Sequence, residues 1–395
     1  MVERPARFDE ATLLAEAQRK AGLSDFGDMG FQAPLRVLLE SLADAPLNDV
    51  GKLVLRTSIR RSLVQRLLAQ EWSTRHPEIA REPIEAPLVV VGQMRSGTTL
   101  IQRLLCCDLR FYCACGWEIG EPAPRPGTLW TETDPRIADG EVRVQQMRDF
   151  APGLFAIHPM AVLEADEEIV FLADAFLSHV PEASCHVPTY RSWLDHQDFT
   201  PAYQYLKRML QLLQWQKRQR GVECERWVLK TPAHLGYLDT LFDVFPGARV
   251  IQMHRSPLET IPSGASLNFT LWKMYADEVD PNEVGRQWLE RMAWTTRRSL
   301  AVRDGLADAD ERFVDVWYRD AVSDPLTEMQ RIYAALALEL LPEAQRGMER
   351  WLAAQARDKR PAHEYSAKQF GLTERRIREA FAGYMARFID PHERC

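Results

Sequence analysis

Several things are missing from this chain, and each absence excludes something. No run of about 18 apolar residues occurs, and Met1-Val2-Glu3-Arg4-Pro5 leads into no hydrophobic core of an export leader. A soluble, cytoplasmic protein without a membrane span is therefore expected. Positive charge is not in excess: 49 Lys and Arg stand against 56 Asp and Glu, a formal charge of −7. That balance argues against a nucleic-acid partner, which would call for a concentrated basic face, and leaves basic side chains to act locally in an anion pocket. The seven cysteines make no two-pair zinc pattern. Cys106-Cys107 and Cys113-x-Cys115 do crowd together, which admits a metal or redox cluster, with reduced thiols of a cytosolic chain as the plainer reading. No internal repeat or low-complexity linker divides the 395 residues, so one α/β unit with helical insertions accounts for the length as well as two or three domains would.

What is present is organised around residues 88 to 105. Leu88-Val89-Val90-Val91, between Pro87 and Gly92, reads as a fully buried strand, and Leu100, Ile101, Leu104 and Leu105 return at helical spacing. Between them, Gly92-Gln93-Met94-Arg95-Ser96-Gly97-Thr98-Thr99 keeps the glycines of a phosphate-cradling loop, whose amides and helix N-terminus bind anionic oxygens. The lysine of a nucleotide triphosphatase loop is missing. Thr98 occupies its place, and the fixed cation is Arg95, a fork suited to an oxyanion that no metal has to neutralise. A P-loop kinase, which needs that lysine and an acidic magnesium ligand, is thereby disfavoured.

A second cationic turn follows the strand Arg249 to Met253, in His254-Arg255-Ser256-Pro257, and Ser263 lies about two helical turns beyond Arg255. With the Arg-Ser-Gly-Thr-Thr loop ahead of it, this pattern resembles the sulfotransferases that use 3′-phosphoadenosine 5′-phosphosulfate (PAPS), in particular a bacterial branch with a helical N-terminal region. The resemblance implies that Arg95, Ser96, Gly97, Thr98 and Thr99 bind the 5′-phosphosulfate and that Arg255 and Ser263 bind the 3′-phosphate. It also implies a hydroxyl-bearing acceptor, no metal, and release of 3′-phosphoadenosine 5′-phosphate.

Four further segments are similar to that branch. Glu164-Ala165-Asp166-Glu167-Glu168 precedes Ile169, Leu172, Ala173 and Phe176 at helical spacing, so the acidic cluster is expected on the first turn of an amphipathic helix, where carboxylates complement the macrodipole. The family uses a glutamate or histidine to deprotonate the acceptor, which makes Glu167 or Glu168 the implied base and His158 the alternative. Asp166 departs from the branch, which more often has proline there. Lys230-Thr231-Pro232-Ala233-His234 ends a strand, where ligands bind in open α/β sheets. By resemblance Lys230 steadies the charge on the bridging oxygen, and His234 is catalytic or supporting. The strand ending at Tyr318, with Arg319-Asp320-Ala321-Val322-Ser323-Asp324-Pro325 after it, makes Tyr318 a further nucleotide contact. Residues 363 to 372 are a segment that closes over the nucleotide, with Lys359, Arg360 and His363 as weaker phosphate candidates.

Four buried strands near 88, 227, 250 and 313, separated by helices, imply a central parallel sheet covered on both faces, a P-loop-like three-layer sandwich. Residues 1-85 are expected as a helical cap and 86-395 as the PAPS-binding domain, together one compact unit. In the cap, Val54 to Leu68 is read as a helix with Arg60, Arg61 and Arg66 outward. The cap is a packing element, with the acceptor wall or an oligomer contact, a homodimer included, as its other uses. A sulfotransferase-like protein that binds the nucleotide without turnover is the alternative to an enzyme.

Overall fold

In a computed structural model, residues 8–157, 160–355 and 365–393 are described. Five strands form one parallel sheet: β1 (Leu88–Gly92), β2 (Phe111–Tyr112), β3 (Arg226–Lys230), β4 (Arg249–His254) and β5 (Phe313–Trp317), in the order β2-β3-β1-β4-β5. The expected α/β architecture is the one found. The strand not foreseen is β2, whose two residues are too few to carry a periodicity.

β1 sits in the middle, with Leu88 paired to Val228 on one side and to Arg249 on the other. Its side chains alternate between two cores, as strand geometry requires. Val89 and Val91 face a core shared with the N-terminal helices, while Leu88 and Val90 face Ile101, Leu104, Met329 and Ile332. Both faces are therefore covered, which explains why β1 reads as a continuous apolar run.

The N-terminal residues form α1 (Glu10–Ala21), α2 (Gln32–Asp44) and α3 (Asp49–Arg75). α1 ends at Gly22, which takes a left-handed φ of 66° and returns its N–H to Gln18. The outward position expected for Arg66 is wrong. Its guanidinium lies 4.2 Å above the Phe31 ring and 4.6 Å above that of Tyr205, and it donates to the backbone oxygens of Asp28 and Asp174. A planar, weakly hydrated cation suits a slot between two rings, and α3 is covered on that side because it packs on the domain core.

The remaining helices that position the site are α4 (Thr98–Leu105), α5 (Ile169–Asp174), α6 (Thr200–Gln219), α7 (Pro257–Tyr275) and α8 (Pro281–Gly305). Cys106, just after α4, and Cys113, just after β2, form a disulfide with Cα atoms 6.1 Å apart, which replaces the expected reduced thiols at these two positions. Among the described residues no grouping of three or more His, Cys, Asp or Glu is arranged to hold a metal, and no helix is long and apolar enough to cross a membrane.

Candidate functional site

The loop after β1 turns tightly. Gly97 has a φ of 91° and opens α4, and a side chain at Gly92 would lie 2.5 Å from Ser96 Oγ and 2.8 Å from Met253 O. Only glycine fits both places without strain. Arg95 itself adopts a φ of 75°, an unfavourable conformation for a residue with a Cβ. The side chain is used: its Nε donates to Ser263 Oγ on α7 at 3.2 Å, and its carbonyl accepts from Arg255 Nη1 at 2.9 Å. Arg255 in turn lies 3.9 Å above the Tyr318 ring and pairs with Glu259 at 3.1 Å. A Cβ on Gly97 would meet that same Tyr318 ring at 2.8 Å. Arg95, Gly97, Arg255, Ser263 and Tyr318, drawn from four parts of the chain, thus converge on one place. Ser96 Oγ is buried there without a partner.

β3 delivers the second group. Lys230 Nζ is 2.6 Å from Glu167 Oε1 and 3.2 Å from Thr99 Oγ1. Beneath this pair, Glu168 accepts from the Lys230 backbone N–H at 3.0 Å and from His234 Nε2 at 2.7 Å, and His234 Nδ1 is 2.8 Å from Tyr203 OH on α6. Because the Glu168 carboxylate can only accept, Nε2 carries a proton, and in the neutral ring the Tyr203 hydroxyl donates to Nδ1.

The acidic cluster is not the first turn of a helix. Glu168 is the N-cap of α5, with φ −74° and ψ 8°. The residues before it are held extended, because Ala165 bridges to Cys115 and the Asp166 N–H donates to Ala114 O. The two glutamates therefore part company: Glu168 is buried in its network, whereas the Glu167 side chain is 18% exposed.

A cavity of about 620 Å³ joins these parts. Arg95, Gly97, Thr98, Thr99, Lys230 and Arg255 line part of it, together with Asp166 and Glu167, while Leu154, Ile169, Leu267, Trp272 and Met292 supply an apolar wall. No residue of α1, α2 or α3 reaches this lining among the described residues. His158, Lys359, Arg360 and His363 lie outside the described residues.

Sequence reasoning missed a charged group in the same wall. His179 is 2.7 Å from Tyr237 OH and 2.8 Å from Glu182, and Arg291 of α8 donates to Glu182 at 2.7 Å. Burial pushes the Glu182 carboxyl up, but the His179 ring and the Arg291 guanidinium outweigh it and hold the group at about 2. Burial pushes the His179 imidazole down. His179 and Glu182 stand three residues apart on one short helical segment, but Arg291 comes from α8, and no local spacing announces that it meets them.

Comparison with known proteins adds a second line. A model of the sulfotransferase family matches residues 87–343. The omega-hydroxy-beta-dihydromenaquinone-9 sulfotransferases Stf3 of Mycobacterium bovis and Mycobacterium tuberculosis are each 25% identical over 267 residues, 64% of this chain, and the chain spans 63% of the length of each. Among solved structures, sulfotransferase STF1 of Mycobacterium tuberculosis superposes with a TM-score of 0.84 at 32% identity, covering 96% of this chain and 100% of that one. For STF9 of Mycobacterium avium the TM-score is 0.86 at 26% identity, with 98% of each chain covered.

Proposed function

The chain belongs to the sulfotransferase family, and on that premise we propose that it moves the sulfuryl group of PAPS to a hydroxyl of a small, largely apolar acceptor. The observation that carries this reading is the meeting, in one cavity, of a lysine-free anion loop, the Lys230–Glu167 pair and an apolar wall. The fit to the nucleotide rests on a helix N-terminus opened by Gly97, an unpartnered buried Ser96 Oγ and two arginine forks.

PAPS, when bound, supplies a sulfuryl group on a phosphate oxygen. Arg95, Ser96, Gly97, Thr98 and Thr99 would hold the 5′ end, and Arg255, Ser263 and Tyr318 the 3′-phosphate end. Glu167, which faces the cavity, takes the proton of the acceptor hydroxyl as its oxygen bonds to sulfur. Lys230 stabilises the electron pair left on the phosphate oxygen when its bond to sulfur breaks. Glu168 and His234, enclosed and mutually bonded, position these two groups and do not touch the acceptor. The Stf3 relatives are named for an acceptor with a hydroxyl on a menaquinone, and Leu154, Leu267 and Trp272 suit an acceptor of similarly apolar character.

The test is a calorimetric titration without magnesium, with 3′-phosphoadenosine 5′-phosphate and separately with ADP, followed by PAPS turnover with apolar alcohols and phenols. Preference for the 3′-phosphorylated nucleotide by about 10-fold or more is expected from charge-assisted hydrogen bonds. Equal binding of both nucleotides would overturn the 3′-phosphate site, and binding without sulfated product across the acceptors would favour a nucleotide-binding protein without turnover.

A further inference from the structure

Lys230 has two duties in the proposed reaction and one ammonium group for both. Its side chain is 1% exposed, clasped between Glu167 Oε1 at 2.6 Å and Thr99 Oγ1 at 3.2 Å. A carboxylate held this closely by a cation is a poor base, because the cation favours its ionised form and proton transfer is driven by basicity. The leaving phosphate needs the same cation. Thr99 lies in the first turn of α4, whose N-terminus opens the anion loop, so the hydroxyl that already touches Lys230 leads towards the place where that phosphate would sit.

We propose that the Lys230–Glu167 pair is a latch, in which a nucleotide phosphate in the Arg95–Thr99 loop draws the Lys230 ammonium away from Glu167 and so turns Glu167 into a competent base. The inference rests on the donor site read above and adds an order of events to it. An acceptor arriving before the nucleotide meets a carboxylate quenched by lysine, so nucleotide binding precedes productive acceptor binding.

The surroundings of Glu167 point the same way. The cations around the cavity are Arg95 and Arg103 from the loop and α4, Arg255 from the turn after β4, and Arg291 from α8. Among the described residues, the remaining titratable groups of its wall are Asp166, His179, Glu182 and Tyr318. Arg103 is engaged by Glu164, Arg255 by Glu259 and Arg291 by Glu182, and Glu168 is tied to His234. Lys230 is in contact with Glu167 at 2.6 Å and has a second anionic duty in the proposed reaction. Its departure, together with the negative charge of the nucleotide, raises the proton affinity of Glu167.

Two readouts in one calorimetric experiment test this without any acceptor. Titration with 3′-phosphoadenosine 5′-phosphate at pH 5, in two buffers of different ionisation enthalpy, counts protons taken up on binding. The wild type is expected to take up a few tenths of a proton per site more than Glu167→Gln. Glu167→Gln is also expected to bind the nucleotide several-fold more tightly, because Lys230 no longer has to leave a carboxylate. Lys230→Met, which has no latch to open, is expected to lose the extra uptake as well. Equal proton counts in wild type and Glu167→Gln, with unchanged or weaker affinity in the variant, would overturn the latch and leave the donor site standing. No binding of this nucleotide by the wild type would overturn both.

Discussion

The Tyr203 hydroxyl and His234 Nδ1 are 2.8 Å apart in a fully buried pair, two bonds away from the backbone of Lys230. The chain from Tyr203 through His234 and Glu168 to the Lys230 N–H has every polar atom occupied, which fixes the end of β3 on the far side from solvent. Tyr203→Phe leaves a buried imidazole nitrogen unsatisfied. It is expected to cost about 1–3 kcal/mol of stability, read by chemical denaturation, and to lower kcat while nucleotide affinity holds.

The two glutamates are expected to separate cleanly on mutation. Glu167→Gln should lower kcat by about 100- to 10,000-fold, the range for loss of a general base, with nucleotide binding retained. Glu168→Gln should instead lower stability, because it weakens bonds to both His234 and the Lys230 backbone. The reverse pattern, a stable but inactive Glu168→Gln and an active Glu167→Gln, would exchange their roles.

Arg255 reaches its position by stacking on Tyr318 and bonding to the carbonyl of Arg95. Arg255→Ala is expected to reduce affinity for 3′-phosphoadenosine 5′-phosphate about 10- to 100-fold, as for a lost charge-assisted bond, and to leave ADP binding nearly unchanged. Tyr318→Leu should give a smaller loss of the same kind. Comparing the two nucleotides by calorimetry separates this effect from general damage.

Acid should destabilise the fold in two stages. Burial pushes the His179 and His254 imidazoles down, and the carboxylates beside them offset this only in part. The unfolded chain therefore binds protons first, and stability is lost as pH falls below about 6.5, the ordinary histidine value. Burial pushes the Glu182 and Asp315 carboxyls up, but the cations and imidazoles around them outweigh it and hold both below the usual range, Glu182 at about 2. Their contribution is present above the ordinary carboxylate value and is lost as pH falls from there towards the lowered one. Denaturation curves from pH 7 to pH 3 should show both stages, and Glu182→Gln should flatten the lower one. Stability that is constant across that range would contradict the buried pairings.

What was legible in the sequence is what chemistry places within a few residues. Gly92 to Thr99, Lys230 to His234 and Arg255 to Ser263 each announce a strand end followed by a turn, and apolar runs locate β1, β3, β4 and β5. The rest depends on contacts between distant segments. The acidic cluster looked like a helical first turn because its composition suits one, and the bridge from Ala165 to Cys115 overrode that propensity. Arg66 looked outward because helical spacing alone does not reveal that Phe31 and Tyr205 close over it. His179 and Glu182 are three residues apart, but nothing local ties them to Arg291 until α8 packs beside residues 179 to 184.

The strand order has a consequence for how the molecule comes into being. β1 is central, yet its neighbours are β3 and β4, so Leu88 waits for Val228 and Arg249 before either edge is paired. Contacts so distant in sequence make folding slow, since loop closure must precede any gain from pairing. During synthesis the first half of the chain emerges with its most apolar strand unpartnered on both sides, a state open to mispairing and aggregation. The contact between Arg95 and Ser263 spans 168 positions. The anion site is therefore among the last features to form, and a nucleotide that binds it would stabilise only chains that have completed the sheet.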